Sequence, residues 1–266
     1  MIVKRRNVVG FSERNALEFG TTMGTRLPWS LSMLKNGSRR LVFLTLFLGC
    51  VQFAAAQTAD DIIEKDLAAL GGRTALSNLR SRSMKGTITG STLDLTGPVE
   101  ILNEVPNKSR TFVQLDLSGL GLGKFVRDQR FDGTSGYVID TMQGNRDITG
   151  EQLDAMKNAQ FPSPLLNYKG MGTTVELAGK EKVGDRDAYV LIGKPKAGPV
   201  IRYYIDAETY LPVRSVMKVM VPQLGTEVDQ TQETSDFREV DGVKVPYRIK
   251  TTSSLQTCSS LLLRSN

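Results

Sequence analysis

Hydrophobic and polar residues change rhythm along this chain, and each change marks a boundary. From residue 41 to 51 the run LVFLTLFLGCV is almost wholly apolar. A membrane-spanning helix takes about 20 apolar residues, so this run is too short to span and has the size of a signal-peptide h-region. Arg39-Arg40 precedes it and Ala54-Ala55-Ala56 follows it. The order predicts a signal peptide over 33–56, cleavage after Ala56 and Gln57 as the first mature residue. Residues 1–32 show no organised periodicity. A compact signal would begin at Met33, so 1–32 reads as an extension from a start codon placed too early, or as a long n-region.

Next comes a period of 3.6. Thr58 and Asp61 stand in capping-box spacing, Ile63, Leu67 and Leu70 fall on one face, and Gly71-Gly72 ends the run, which predicts a helix. A shorter helix fits Thr74 to Leu79, with Leu76 and Leu79 inward. The period then switches to two. Strands are predicted at Met84–Leu95, Val99–Asn103, Arg110–Leu117, Lys124–Phe131 and Gly136–Asp140, with Gly97-Pro98, Pro106-Asn107, 119–123 and Asp132-Gly133 as turns. Gly150–Gln160 reads as a third helix, with Thr149 and Gln152 as its capping box and Leu153 and Met156 on its apolar face. Strands resume at Thr173–Lys182, Ala188–Lys194, Val200–Asp206, Pro212–Val221, Glu227–Glu239 and Val243–Thr252. Gly184-Asp185 and Asp241-Gly242 are two-residue hairpin turns. Sequential strands joined by short turns pair antiparallel. The fold class is therefore α+β, a large antiparallel sheet with a few helices on one face. After about Ser253 the alternation decays, and 253–266 reads as an atypical tail with little part in the fold.

Charge looks different once the leader is set aside. The chain has 34 Lys+Arg and 28 Asp+Glu, net +6. Eight of the basic and two of the acidic residues lie in 1–56, leaving 26 of each in the mature part. No basic footprint for nucleic acid remains. The two cysteines are Cys50, inside the leader, and Cys258, so the mature chain has no internal disulfide to form. Leu46 to Cys50 also resembles a lipobox with Phe47 in an unusual place; a lipidated Cys50 would give an outer-membrane lipoprotein instead of a free periplasmic protein.

The chain has no histidine, the commonest general base and metal ligand. Serine and cysteine triads that use His are thereby excluded, and no thiolate cluster exists for zinc. No cofactor, no metal and no enzyme activity are expected. The acidic pairs Asp60/Asp61 and Asp185/Asp187 read as a helix N-terminus and a turn flank on solvated surface. Gly119 to Gly123 lacks G-x-G-x-x-G spacing and reads as an apolar strand connection.

Two late segments carry a resemblance. YYIDAETYLPVR (203–214), followed by DFREVDGVKVPYRI (236–249), is similar to the LolA/LolB-type superfamily of outer-membrane lipoprotein-sorting proteins. The opening DIIEKDLAALGGRTALSNLRS (61–81) resembles the start of many bacterial members. The likeness runs from about Ala59 to Thr252, which makes 57–252 one LolA-like lipid-binding domain. It implies a strongly curved antiparallel sheet, an incomplete barrel closed by helices, with an apolar concave interior that shields lipoprotein acyl chains crossing the periplasm. The end after Ser253 departs from the family and leaves a closing strand missing.

The function expected is a monomeric periplasmic carrier of lipoprotein acyl chains or another lipid. The alternatives are a non-enzymatic envelope module that binds a protein partner and a lipid-anchored, LolB-like receptor. Alternation nominates the cavity wall: Val113, Leu115 and Leu117; Ile201, Tyr203 and Ile205; Val213, Met217 and Val219. Lys218 has the opposite parity and should point away.

Overall fold

The computed structural model describes residues 57–90, 95–221, 225–253 and 259–264. The leader, Cys50, the end of the first expected strand and Cys258 lie outside the described residues. No helix among the described residues is long and apolar enough to cross a membrane.

Helix α1 spans Ala59–Ala69, and its cap follows from two side chains. Thr58 Oγ1 accepts from the Asp61 backbone N–H at 3.2 Å, and Asp61 Oδ2 accepts from the Thr58 backbone N–H at 2.9 Å. These bonds satisfy donors that a bare N-terminus leaves open. The buried stripe is Ile62, Ile63, Asp66 and Leu67, so the apolar face is wider than the 63/67/70 spacing predicted and has a carboxyl inside it. Gly71, at φ +125°, ends the helix, and a Cβ there would collide with the carbonyl of Gly242. Only glycine admits both the backbone angle and that contact. Helix α2 follows at Gly72–Asn78 with Leu76 buried. Helix α3 is Gly150–Asn158; Thr149 adopts extended backbone at its N-cap but makes no side-chain capping bond, so the expected capping box is absent.

Among the described residues thirteen strands form one antiparallel sheet, in the order β6-β5-β4-β3-β2-β1-β13-β12-β11-β10-β9-β8-β7. The first meander is β1 Ser81–Gly90, β2 Leu95–Glu104, β3 Lys108–Asp116, β4 Lys124–Phe131, β5 Gly136–Asp140 and β6 Arg146–Ile148. The second is β7 Thr174–Val183, β8 Arg186–Lys194, β9 Ile201–Asp206, β10 Pro212–Val221, β11 Thr226–Val240 and β12 Val243–Ser253. Strand β13, Ser259–Arg264, pairs with β1 on one side and β12 on the other and joins the two meanders. The ends β6 and β7 do not pair, so the barrel is incomplete, as the LolA/LolB resemblance implies.

The expected tail is corrected here. Leu261 and Leu263 face inward against Ile88, Gly86 and Ile249 and are buried, while Leu262 between them is exposed. Three consecutive leucines hide a period of two, because the outward residue is as apolar as its neighbours. The closing strand is present, and 259–264 is central. Gly97-Pro98 is also no turn: both lie inside β2, opposite Ile88 and Thr87. Gly97 is needed there because a Cβ would run into the Gln114 carbonyl of β3.

The hairpins were legible. Asp241 and Gly242 have φ of +51° and +75°, the left-handed pair of a type I′ turn between β11 and β12. At the β9–β10 turn, Asp206 Oδ1 accepts from the backbone N–H groups of Glu208 and Thr209 at 3.0 and 2.7 Å, and from Thr209 Oγ1 at 2.9 Å. The main core lies between α1, α2 and one face of the sheet, with Ile62, Leu67, Leu191, Ile205 and Leu263 among its buried members. A smaller cluster, Ala188, Val190 and Tyr204, has the opposite strand parity and sits on the other face.

Candidate functional site: two cavities on the concave face

Strand parity places the inward residues of the first limb. Val99 pairs with Val113, and Val113 with Arg127. On the second limb Tyr203 pairs with Ser215, Ile201 with Met217, and Met217 with Gln230. Val113, Arg127 and Gln129 of the first limb share one cavity with Met217, Val219 and Gln230 of the second. These strands stand far apart in the sheet order, so the sheet is strongly curved. Helix α3 contributes Ala155 and Met156 to the same space, whose volume is about 720 Å³.

That wall is amphipathic rather than uniformly apolar. Met156, Met217 and Met220 give it adaptable apolar surface, and Arg127, Gln129, Arg146 and Glu151 give it polar surface. Arg127 donates to Gln129 Oε1 at 3.4 Å and stands 3.9 Å from the buried Asp140 carboxylate. Burial pushes the Arg127 guanidinium below its ordinary range, and Asp140 opposes that shift. The Gln129 amide donates to Met156 Sδ at 3.6 Å and ties β4 to α3.

The second cavity, of about 230 Å³, lies beneath α1 and α2. Asp66, Leu70 and Leu76 form its helical side; Arg82, Tyr203 and Phe237 lie on strands; Pro162 to Leu165 close it from the segment after α3. Asp66 is 1% exposed, and Oδ1 of its carboxyl has no hydrogen-bond partner. Burial raises it to about 8. Nε of Arg82 is likewise buried and unpartnered, and desolvation lowers that guanidinium to about 10. Its other contacts are Asn103 Oδ1 at 3.5 Å and the Phe161 ring, 5.2 Å from its centroid. Burial also raises the Tyr203 phenol.

The structure divides the residues nominated from alternation. Val113, Met217 and Val219 meet in the larger cavity. Tyr203 lines the smaller one, and with Ile201 it lines a narrow gap toward Pro164 and Tyr168. Ile205 is fully buried core, Leu117 is buried at the end of β3, and Leu115 lines neither cavity. Val213 is turned to the opposite face, where it packs on Val190 and Tyr204. A β-bulge between Pro212 and Arg214 inserts one residue and reverses the parity that the sequence suggested. Lys218 is exposed, yet it contributes to the rim of the larger cavity together with Met220, so opposite parity does not remove it from the site.

Arg127, Gln129, Asp66 and Arg82 were not nominated, because an acyl cavity implies apolar walls; Met156 was placed on the apolar face of α3 but not nominated for the cavity. A signal existed for β4, where Phe125, Arg127, Gln129 and Phe131 share one parity. The acidic pairs are placed as expected on the surface. Asp60 accepts hydrogen bonds from Tyr168 and Lys169, and Asp187 pairs with Lys182 at 3.0 Å. Among the described residues no cluster of three or more metal-ligating side chains occurs.

No protein-family model matches the chain, and no curated protein matches it. Solved structures with a similar chain path share little sequence with it. A LolA superfamily protein from Nitrosomonas europaea is 15% identical with a TM-score of 0.48, over 79% of this chain and 93% of that one. A DUF1329 family protein from Desulfovibrio piger is 11% identical with a TM-score of 0.49, over 77% and 91%. A structure described as an outer membrane lipoprotein-sorting protein domain, from Vibrio parahaemolyticus, is 11% identical with a TM-score of 0.47, over 76% and 92%. These are similarities of chain path, and the activities named for those proteins are theirs.

Proposed function

We propose that the protein is a periplasmic carrier that holds lipoprotein acyl chains in the cavity between the sheet limbs and α3. One observation carries this reading: a space of about 720 Å³ with Val113, Met156, Met217 and Val219 on its walls. Ligand sites generally run from about 300 to 1,000 Å³ and bury most of a small ligand's surface. Each buried acyl CH₂ is worth about 0.8 kcal/mol, so a long chain gains roughly 10 kcal/mol gross by leaving water. Met side chains adapt to chains of different length.

The test is Met217→Trp, which fills volume without burying a charge. The variant should fold as wild type and lose binding of a triacylated peptide. Lys250→Trp, on an exposed position of β12, should bind normally. Lys218 is unsuitable as the control because it reaches the cavity rim. Equal binding by Met217→Trp and wild type, or no binding by wild type, overturns the carrier reading. Export follows from the leader, and mass spectrometry of the exported protein decides between Gln57 and a lipidated Cys50 as its first residue. A second reading, docking of an envelope protein partner, is favoured by Leu120 and Leu122, which stand exposed at the tip of the β3–β4 hairpin. Loss of partner capture on Leu122→Ser, with lipid binding intact, would support it.

A further inference from the structure

The smaller cavity presents an arrangement that neither folding nor the larger cavity explains. Buried polar atoms are nearly always paired, and one left unmatched costs about 1–3 kcal/mol. Here two residues that each carry an unmatched buried atom, Asp66 (Oδ1) and Arg82 (Nε), line one space of about 230 Å³. They come from α1 and β1, and neither is the other's partner. Shortening either side chain would remove its unmatched atom, so each residue calls for a further polar partner.

We propose that this cavity is a second site, which receives the ionised carboxylate head of an acyl ligand. The carboxylate oxygens accept from the Arg82 guanidinium and from the Asp66 carboxyl, and the tail lies along Leu70, Leu76 and Leu165. The tail's place in this protein rests on the acyl-carrier reading; the head's does not.

The charge around the cavity selects an anion. Asp66 is its one acid among the described residues, and burial keeps that carboxyl protonated at neutral pH. The cations on its wall are Arg82, Arg214 and Lys244. Glu233 already neutralises Arg214 at 2.5 Å, and Lys244 is exposed to water. Arg82 therefore remains as a desolvated cation without a counter-ion among the described residues, and Tyr203, with its phenol raised by burial, stays neutral. A buried charge of this kind is strongly favoured by a partner of opposite sign. A protonated carboxyl and a guanidinium are both donors, so they suit a group that only accepts; a carboxylate is one, while an amide or hydroxyl would bring surplus donors.

The experiment compares octanoate with methyl octanoate by isothermal titration at pH 7, with a triacylated peptide as a third ligand. Wild type should bind octanoate about tenfold or more tighter than the ester, the size expected of charge-assisted hydrogen bonds. Arg82→Gln should bring the acid down to the ester's affinity while leaving the ester unchanged. Between pH 7 and 9 Asp66 ionises in wild type and repels the ligand, so octanoate binding should weaken, whereas Asp66→Asn should lose that pH dependence. Equal affinity for acid and ester in wild type overturns the proposal, as does an Arg82→Gln variant that keeps the preference for the acid. The wild-type comparison decides even where Arg82→Gln fails to fold. Peptide binding without a preference for the acid refutes this site and leaves the carrier reading standing; the opposite pattern refutes the carrier reading and keeps the carboxylate site.

Discussion

Helices α1 and α3 are both short and both lie against the concave face, with 11 and 9 residues. They make opposite use of it. α1 buries Ile62, Ile63, Asp66 and Leu67, whereas none of the α3 residues is buried. Beneath α1 the sheet offers Leu191, Ile205, Val243 and Leu263, and the remaining space is about 230 Å³. Beneath α3 it offers Arg127, Gln129 and Arg146, and the space is about 720 Å³. One half of the concave surface is a packed core with a small polar flaw. The other is a roomy, amphipathic basin roofed by a lightly held helix. Stability is concentrated in the first, and room for a ligand in the second.

The sharpest way to break this contrast is to remove β13. Truncation after Ser253 takes Leu261 and Leu263 out of the packed half and leaves the facing edges of β1 and β12 unpaired. Each buried leucine is worth about 1.5–3 kcal/mol, before counting the lost ladder hydrogen bonds. The melting temperature should fall by about 10 °C or more, or the chain should fail to fold. An unchanged melting curve would show that the tail is dispensable.

Next in size is a pair of alanine substitutions. Leu67→Ala should destabilise by about 2–5 kcal/mol, because it opens a cavity in close packing. Leu153→Ala, on the half-buried face of α3, should lose less than about 1 kcal/mol. Denaturant titration measures both, and equal losses would dissolve the distinction between the halves.

A third test uses proton linkage at Asp66. Its carboxyl titrates near 8 in the folded protein, against about 4 in an unfolded chain. Between those values the native state binds more protons than the unfolded one, so stability declines as pH rises from about 4 to about 8. Asp66→Asn should flatten that decline and melt a few degrees higher at about pH 8. A wild-type melting temperature that holds level across this window would mean that Asp66 is ionised in the native protein.

The smallest effect belongs to the outer face. Asp128 is buried between Arg110 at 2.8 Å and Arg130 at 2.7 Å, and these guanidinium groups hold its carboxyl down to about 2. Its contribution is complete above the unfolded value near 4 and is lost as pH falls toward about 2. Both arginines are substantially exposed, so water screens the pairs and Asp128→Asn should cost only about 1 kcal/mol at neutral pH. That loss should vanish below about pH 2, and thermal melts at acid pH check it.

Local chemistry made much of this protein legible from its residues. The Thr58–Asp61 cap and the Asp241-Gly242 turn each depend on residues within a few positions of one another, and each was found where the spacing put it. Strands β4, β5 and β10 fell at their expected bounds because a period of two reports a half-buried strand directly. Strand β6 escaped, since Arg146-Asp147-Ile148 has too few residues to show a period. The site residues were only partly legible. Val113, Met217 and Val219, nominated as apolar residues on one parity, line the larger cavity; Arg127 and Gln129 were marked only by the parity they share with Phe125 and Phe131, and nothing local marks Asp66 and Arg82 as inward.

The sequence by itself determined most of the elements, their antiparallel order within each meander and the α+β class, since these follow from short-range periodicity and turn chemistry. Tertiary structure alone decided three things. It inserted β13 between β1 and β12, a pairing that joins residues more than 150 positions apart for Leu263 and Gly86. It turned Val213 to the outer face through a bulge, where one inserted residue reverses every parity that follows or precedes it. And it brought Asp66 and Arg82 to one cavity, because curvature of the sheet under α1 sets which buried groups meet, and no spacing along the chain encodes that.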